Sequence, residues 1–233
     1  MYGDEYPEDA EPFGAATRSD LQRIAEVVGV GPAQVLLDLG CGAGGLGLFV
    51  AQRTGARLVG MDLSAVAIRQ AIERTASWGL TAQATFLVGD VCASGLPSAG
   101  FDGAMSVDVL WMMPDKLAAL REIARLLRPS ARFVCTTWEF AESPPDEPQV
   151  ADYRPLLREA GFVVDRYAED RAFPSYFHAL SAGFHVAQDD LATDVGAALA
   201  DDFVDGFAER AALLPGWRRI FIVARRSARM GVR

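Results

Sequence analysis

An apolar run that empties into closely spaced glycines constrains this chain more than any other feature: Val35-Leu36-Leu37-Asp38-Leu39-Gly40-Cys41-Gly42-Ala43-Gly44-Gly45. A short continuous run such as Val35 to Leu37 is what a strand covered on both faces requires. The glycines permit positive φ and let a ligand approach the backbone where a Cβ would block it. Leu46, Phe49 and Val50 then open a helix that ends near Gly55. A strand, a glycine turn and a helix in this order predict one unit of a parallel α/β sheet.

The rest of the chain repeats that rhythm. Leu21, Ile24, Ala25 and Val28 recur at helical spacing and predict a helix from about Thr17 to Val28. Arg57 to Met61 reads as a second strand, and Ser64 as the N-cap of a helix carrying Ala67, Ile68, Ala71 and Ile72. Thr85 to Val88 and Phe101 to Val107 follow as strands, then Leu117 to Leu127 as an amphipathic helix closed by Pro129. Ala131 to Thr137 is a fifth strand, Ser143-Pro144-Pro145 a surface loop, and Tyr153 to Ala160 a helix. Phe162 to Tyr167 and Trp217 to Ala224 supply the sixth and seventh strands. The expected fold is therefore α/β, a doubly wound, mostly parallel seven-stranded sheet with an N-terminal helix.

Two segments lie outside the alternation. Residues 1–16 are rich in acids, Pro and Gly and read as an extended arm. Residues 173–215 are too long for a crossover loop and hold helix-like runs at Leu191 to Leu199 and Phe203 to Leu214. This segment reads equally as extra helices packing on the core or as a helical cap inserted before the last strand, within a single domain spanning 1–233.

Composition excludes several functions. A formal net charge of −9 argues against a broad phosphate-backbone footprint, so no nucleic-acid partner is expected. The late arginines, among them Arg218, Arg219, Arg225, Arg226, Arg229 and Arg233, flank the apolar run Ile220 to Ala224 and read as a solvated strand edge and tail. Cys41, Cys92 and Cys135 lack paired spacing, which predicts reduced thiols, no disulfide and no metal site. No signal peptide and no membrane span are read, so a cytoplasmic monomer or homodimer is expected.

The site chemistry follows from three acids at strand ends. Gly40, Gly42 and Gly45 satisfy the dinucleotide pattern, but Asp38 would sit close to a pyrophosphate and repel it. S-adenosylmethionine carries an ammonium and a sulfonium instead, and an acid suits those cations directly or through water. Asp62, at the end of the second strand, can accept from both ribose hydroxyls of either cofactor. Asp90 after the third strand can hold an adenine amino group while Val91 packs on the ring. The switch-point rule gathers these carboxyl ends around one ligand.

These residues also carry a family resemblance. Asp38-Leu-Gly40-Cys41-Gly42-Ala-Gly44 resembles motif I of class I S-adenosylmethionine-dependent methyltransferases, and Gly60-Met61-Asp62-Leu63-Ser64 resembles the segment that follows it. Gly89-Asp90-Val91 is similar to the adenine motif. Phe101-Asp102 through Ser106-Val107-Asp108-Val109-Leu110 is similar to the fourth-strand motif, whose backbone takes the methionine end. Leu126-Leu127-Arg128-Pro129 and Ala160-Gly161-Phe162 complete the family's order. The resemblance implies a Rossmann-like methyltransferase of the ubiquinone- and natural-product-modifying kind. It implies S-adenosylmethionine held by Asp38, Gly40, Cys41, Gly42, Gly44, Asp62, Leu63, Asp90, Val91 and Val107. Trp111 departs from the pattern, since many relatives have His there.

The acceptor side is less defined. Trp111, Met112, Trp138, Phe173, Tyr176 and Phe177 are expected to line a place for a flat or apolar small molecule. Methyl transfer from a sulfonium needs chiefly alignment, and a base only when the acceptor must lose a proton. His178, with His185 near it, and Glu139, just past the fifth strand, are the candidate bases. Oxygen, nitrogen and carbon acceptors stay open. So do two other classes: a methyltransferase-like protein with a non-methylating reaction such as cyclisation, and an NAD(P)-linked oxidoreductase.

Overall fold

The glycine turn follows the strand β1, Val35–Leu39, and leads into the helix α2, Gly45–Thr54. Before them lies α1, Arg18–Val27, whose Thr17 and Asp20 form a reciprocal capping box. The structure is a computed structural model that describes residues 3–12, 15–141 and 149–228. The expected loop at Ser143-Pro144-Pro145, the arm residues Tyr2 and Phe13, and the tail arginines Arg229 and Arg233 lie outside the described residues.

The chain continues through β2, Arg57–Asp62, and α3, Ala65–Arg74, whose Ser64 hydroxyl accepts from the Ala67 amide as its sequence position predicts. Next come β3, Ala84–Val88, β4, Phe101–Val107, α4, Lys116–Leu126, and β5, Leu127–Phe140. They are followed by α5, Arg154–Glu159, and β6, Phe162–Glu169. Three helices, α6, Phe173–Val186, α7, Gln188–Val195, and α8, Ala197–Leu213, precede β7, Trp217–Arg226.

The sheet has seven strands in the order β3-β2-β1-β4-β5-β7-β6. Strands β1 to β5 pair in parallel, while β7 runs antiparallel between β5 and β6. The expected doubly wound, mostly parallel sheet is the one observed. The chain leaves β1 toward β2 and β3, then returns to lay β4 on its other side. That reversal opens a crevice beyond the carboxyl ends of β1 and β4.

Period-two alternation sorts β1 between the two faces. Leu36 packs with Leu21, Ile24, Leu48, Phe49 and Ile68 of α1 to α3. Leu37 and Leu39 pack with Leu120, Ile123 and Leu157 of α4 and α5. The same alternation turns Asp38 to the α2 side.

Three expectations change at this level. First, β5 begins at Leu127 rather than Ala131, because the chain before Pro129 leaves the helix one residue early and Leu127 pairs with Phe101. Second, the run Leu191 to Leu199 is not one helix: Gly196, at φ 90°, separates α7 from α8. Third, Arg219 is not a solvated edge residue. Flanked on both sides, β7 is an interior strand, and Arg219 is only 2% exposed.

Candidate cofactor and acceptor site

The glycine turn is fixed from below by its neighbour strand. The amides of Gly40 and Cys41 both donate to the Met61 carbonyl, at 2.8 and 3.0 Å. The Gly42 amide donates to Asp62 Oδ2 at 2.9 Å, and Asp62 Oδ1 accepts from the Ser64 amide at 2.8 Å. One carboxylate thus joins the turn to the start of α3. Asp90 is held in the same manner, with Oδ1 accepting from the Cys92 amide at 2.8 Å.

The glycines of the turn serve different purposes. A side chain at Gly40 would overlap Val109, and one at Gly45 would overlap the carbonyl oxygen of Ala10 in the arm. At Gly42, with φ 52°, no protein atom stands within 4 Å of the position a Cβ would take. Gly42 therefore faces open space, as a turn must where a ligand meets its backbone.

Beside the turn lies a cleft of about 220 Å³ lined by Gly40, Asp62, Leu63, Asp90, Val91, Cys92, Val109, Met112, Met113 and Pro114. Its volume falls below the ~300 Å³ at which sites for larger ligands begin, so it matches the nucleoside end of a cofactor. Two acceptor-only carboxylates stand among apolar side chains. Leu63 is 73% and Met112 57% exposed, forming apolar flanks on either side of the opening.

Asp38 lies behind this cleft rather than in its wall. It is 2% exposed, beneath α2, where only a glycine at position 47 leaves room for Oδ2. That oxygen has no hydrogen-bond partner among the described residues. Burial, and then the nearby Asp62 charge, push the Asp38 carboxyl up to about 7, with the Gly47 amide opposing. Burial likewise pushes the Cys41 thiol well above its usual range, with Asp38 and Asp62 adding to the effect. Cys41, Gly42, Gly44 and Val107 flank the cleft without lining it.

The expected acceptor residues are placed differently. Trp138, Phe173 and Phe177 are each less than 10% exposed and interlock with Phe140 and Trp217 between α6 and the ends of β5 and β7. Trp138 meets Phe173 edge to face at 4.5 Å and Trp217 at 5.5 Å. Trp111 lies against this cluster, 5.9 Å from Phe140, and its indole donates to the Asp108 carbonyl at 2.9 Å. The Tyr176 phenol is pushed up to about 12, first by burial and then by Glu5, Asp20 and Asp170, which puts it beside those carboxylates.

Neither candidate base faces the cleft. His178 and His185 are exposed on α6. Glu139 lies within β5 rather than past it, and is 1% exposed. Its carboxylate accepts from the Tyr167 hydroxyl, from the Tyr153 amide at 3.2 Å and from Arg218 at 2.6 Å. Among the described residues no cluster of His, Cys, Asp and Glu is arranged to hold a metal.

Sequence reasoning missed Val109, Met113 and Pro114 as cleft wall, although Val109 stood inside a quoted motif. It also missed Arg219, whose partners are distant in sequence.

Comparison with known proteins agrees with this geometry. Residues 36–130 match the family model described as a methyltransferase domain. Tocopherol O-methyltransferase of Arabidopsis thaliana is 32% identical over 103 residues, covering 44% of this chain and 30% of that protein. Phosphoethanolamine N-methyltransferase 2 of Haemonchus contortus, solved in complex with S-adenosyl-L-methionine, superposes with a TM-score of 0.80. Its identity is 18%, over 97% of this chain and 55% of that one. The [4+2]-cyclase SpnF superposes with a TM-score of 0.75 and 22% identity, over 90% of this chain and 80% of that one. The curated relatives are longer, and this chain spans 30% to 45% of the length of those it matches. The chain's motif order agrees with the matched methyltransferase domain over residues 36–130, and its strand order is that of a Rossmann-like class I methyltransferase fold.

Proposed function

We propose that this chain is an S-adenosylmethionine-dependent methyltransferase acting on an oxygen, nitrogen or carbon atom of a small apolar or aromatic metabolite. One observation carries the reading. Two carboxylates at successive strand ends line a single cleft, beside a glycine turn open at Gly42 and in front of a buried carboxylate with one unpaired oxygen. The residues fit the cofactor. Asp62 accepts from the ribose hydroxyls, Asp90 from the adenine amino group, and Leu63, Val91 and Met112 pack on the ring. Gly42 would leave its backbone open to the amino-acid end, and Asp38, when ionised, would place negative charge behind the turn.

When bound, the cofactor supplies an activated methyl group on a sulfonium. The chain aligns the acceptor with that group and excludes water. The cluster of Trp111, Trp138, Phe173, Tyr176 and Phe177, at the junction of sheet and helices, gives the acceptor an apolar boundary. With Glu139 held by three donors and both histidines exposed, alignment carries the rate, and His178 serves as base only where an acceptor must lose a proton. Helices α6 to α8 act as a cap on the one domain, and the arm packs beside it. Three free cysteines suit a reducing, cytoplasmic compartment. No described helix is long and apolar enough to cross a membrane.

The test is release of S-adenosylhomocysteine with candidate phenols, amines and enols. Turnover with any of them is the expected result. The likeness to SpnF favours a second reading, cofactor binding with a cyclisation, which predicts conversion of a substrate with no S-adenosylhomocysteine released.

A further inference from the structure

Arg219 is buried in β7 with a side chain 1% exposed, so every donor of its guanidinium has to be matched inside the protein. Its Nε donates to Asp108 Oδ1 at 3.0 Å and its Nη2 to Asp108 Oδ2 at 2.9 Å, a two-pronged grip. Its Nη1 donates to Asp20 Oδ2 at 2.8 Å and to Asp170 Oδ2 at 3.1 Å. The guanidinium carbon lies 5.4 Å from the centre of the Phe173 ring, the first residue of α6. Burial alone would lower the Arg219 pKa, but Asp108 and Asp20, with Asp170 behind them, raise it above its ordinary value.

Each partner belongs to a different boundary of the candidate site. Asp108 directly follows β4 in the left-handed region at φ 56°, a conformation that a non-glycine residue adopts at a cost. Its amide donates to the Thr136 carbonyl at 2.9 Å, and its carbonyl takes the Trp111 indole. The residues immediately after it, Val109, Met112 and Met113, form one wall of the cleft. Asp20 closes the capping box of α1, and Asp170 stands at the entry to α6.

We infer that Arg219 is a positioning residue that couples the cleft wall at Asp108 to the N-terminal helix and to the helical cap. The inference rests on the cofactor reading above. A lysine could not do this, since one ammonium cannot grip a carboxylate with two parallel bonds and bridge two more. Occupancy of the cleft, by fixing the 108–113 turn, then steadies α1 and α6 through the shared guanidinium. Loss of the cap contact is expected to remove the response of the cap to ligand.

The experiment uses the full chain, S-adenosylhomocysteine as probe, and amide hydrogen exchange over residues 173–213 with and without it. Wild type is expected to bind the probe and to show slower exchange in those helices when bound. Arg219→Lys is expected to bind it roughly tenfold more weakly, with the slowing lost. Asp170→Asn, which removes the carboxylate charge that faces Arg219 while leaving an amide oxygen for the Ala172 amide, is expected to keep affinity within about twofold but to lose most of the slowing. A purely structural role predicts lower thermal stability in both variants with the ligand-dependent slowing intact, and that result overturns the coupling. If Arg219→Lys does not fold, Asp170→Asn alone decides between these outcomes. Failure of wild type to bind the probe would instead overturn the cofactor reading.

Discussion

The cleft at the ends of β1 to β4 and the aromatic junction beneath the cap are built by opposite means. Around the cleft, carboxylates are held by backbone amides: Asp62 accepts from Gly42 and Ser64, and Asp90 from Cys92. Beneath the cap, large apolar rings interlock across β5, β7, α6 and α8, with Phe177 stacked on Phe207 at 5.5 Å and Phe184 against Phe203 at 4.9 Å. The first region is shaped by backbone geometry that few side chains tolerate, so it suits one fixed ligand. The second is shaped by side-chain packing, which can be refitted by substitution while keeping volume. A protein built in this way keeps its cofactor constant and lets its acceptor vary.

Four substitutions or conditions break or sharpen that contrast. The largest effect is expected from Gly42→Val: cofactor affinity should fall by more than about a hundredfold, because the branched side chain fills the open space over the turn. The positive φ adds strain of roughly 1–2 kcal/mol, so circular dichroism has to show a folded variant first. Retained binding in a folded variant would place the ligand elsewhere. Asp62→Ala comes next, with an expected loss of about 1–3 kcal/mol in calorimetry from missing ribose acceptance. Unchanged affinity in the folded variant would remove Asp62 from the site.

A pH effect follows from Asp38, whose carboxyl is raised by burial to about 7 from an ordinary 3.8. A raised acid is more protonated in the folded chain, so its ionised form costs stability. That cost is present in full above about 7, shrinks as pH falls through that value and is gone below 3.8. A bound cation favours the ionised form. Affinity for S-adenosylmethionine should therefore rise about tenfold from pH 6 to pH 8, with a smaller rise for S-adenosylhomocysteine, which keeps the ammonium but lacks the sulfonium charge. Asp38→Asn should flatten the difference, and equal slopes for the two ligands in the parent chain would deny Asp38 that role.

The smallest effect concerns the arm, whose described residues pack against α1, α2 and α3. Ala10 is 1% exposed over Gly45, while the ion pairs Asp9 to Arg18 and Glu11 to Arg74 are partly exposed at its edges. Such surface pairs add about 0–1 kcal/mol each. Deleting residues 1–13 should lower turnover several-fold while moving the melting temperature by only a few degrees. Full activity of the truncated chain would make the arm passive.

The parts legible in the sequence were those whose causes are local. The glycine turn, the Ser64 cap and the strand-end positions of Asp62 and Asp90 depend on neighbours within a few residues, and the βα alternation follows from apolar spacing. Arg219 was misread because its partners Asp20, Asp108 and Asp170 lie 199, 111 and 49 residues away, and nothing near Arg219 announces a buried cation. Glu139 was misplaced for a related reason. Its strand is extended by pairing with β7, from Arg132 with Arg225 to Phe140 with Trp217, a partner supplied near the far end of the chain. The aromatics of α6 were legible as a group, but whether they face a ligand or one another depends on α8.

The central claim is that the cleft is built for a cationic nucleoside rather than a pyrophosphate. Calorimetric titration of the full chain with S-adenosylmethionine and with NAD at neutral pH tests it most directly. Saturable binding of S-adenosylmethionine at one site per chain, with no measurable heat from NAD, is the predicted result. Binding of NAD with no binding of S-adenosylmethionine would contradict it.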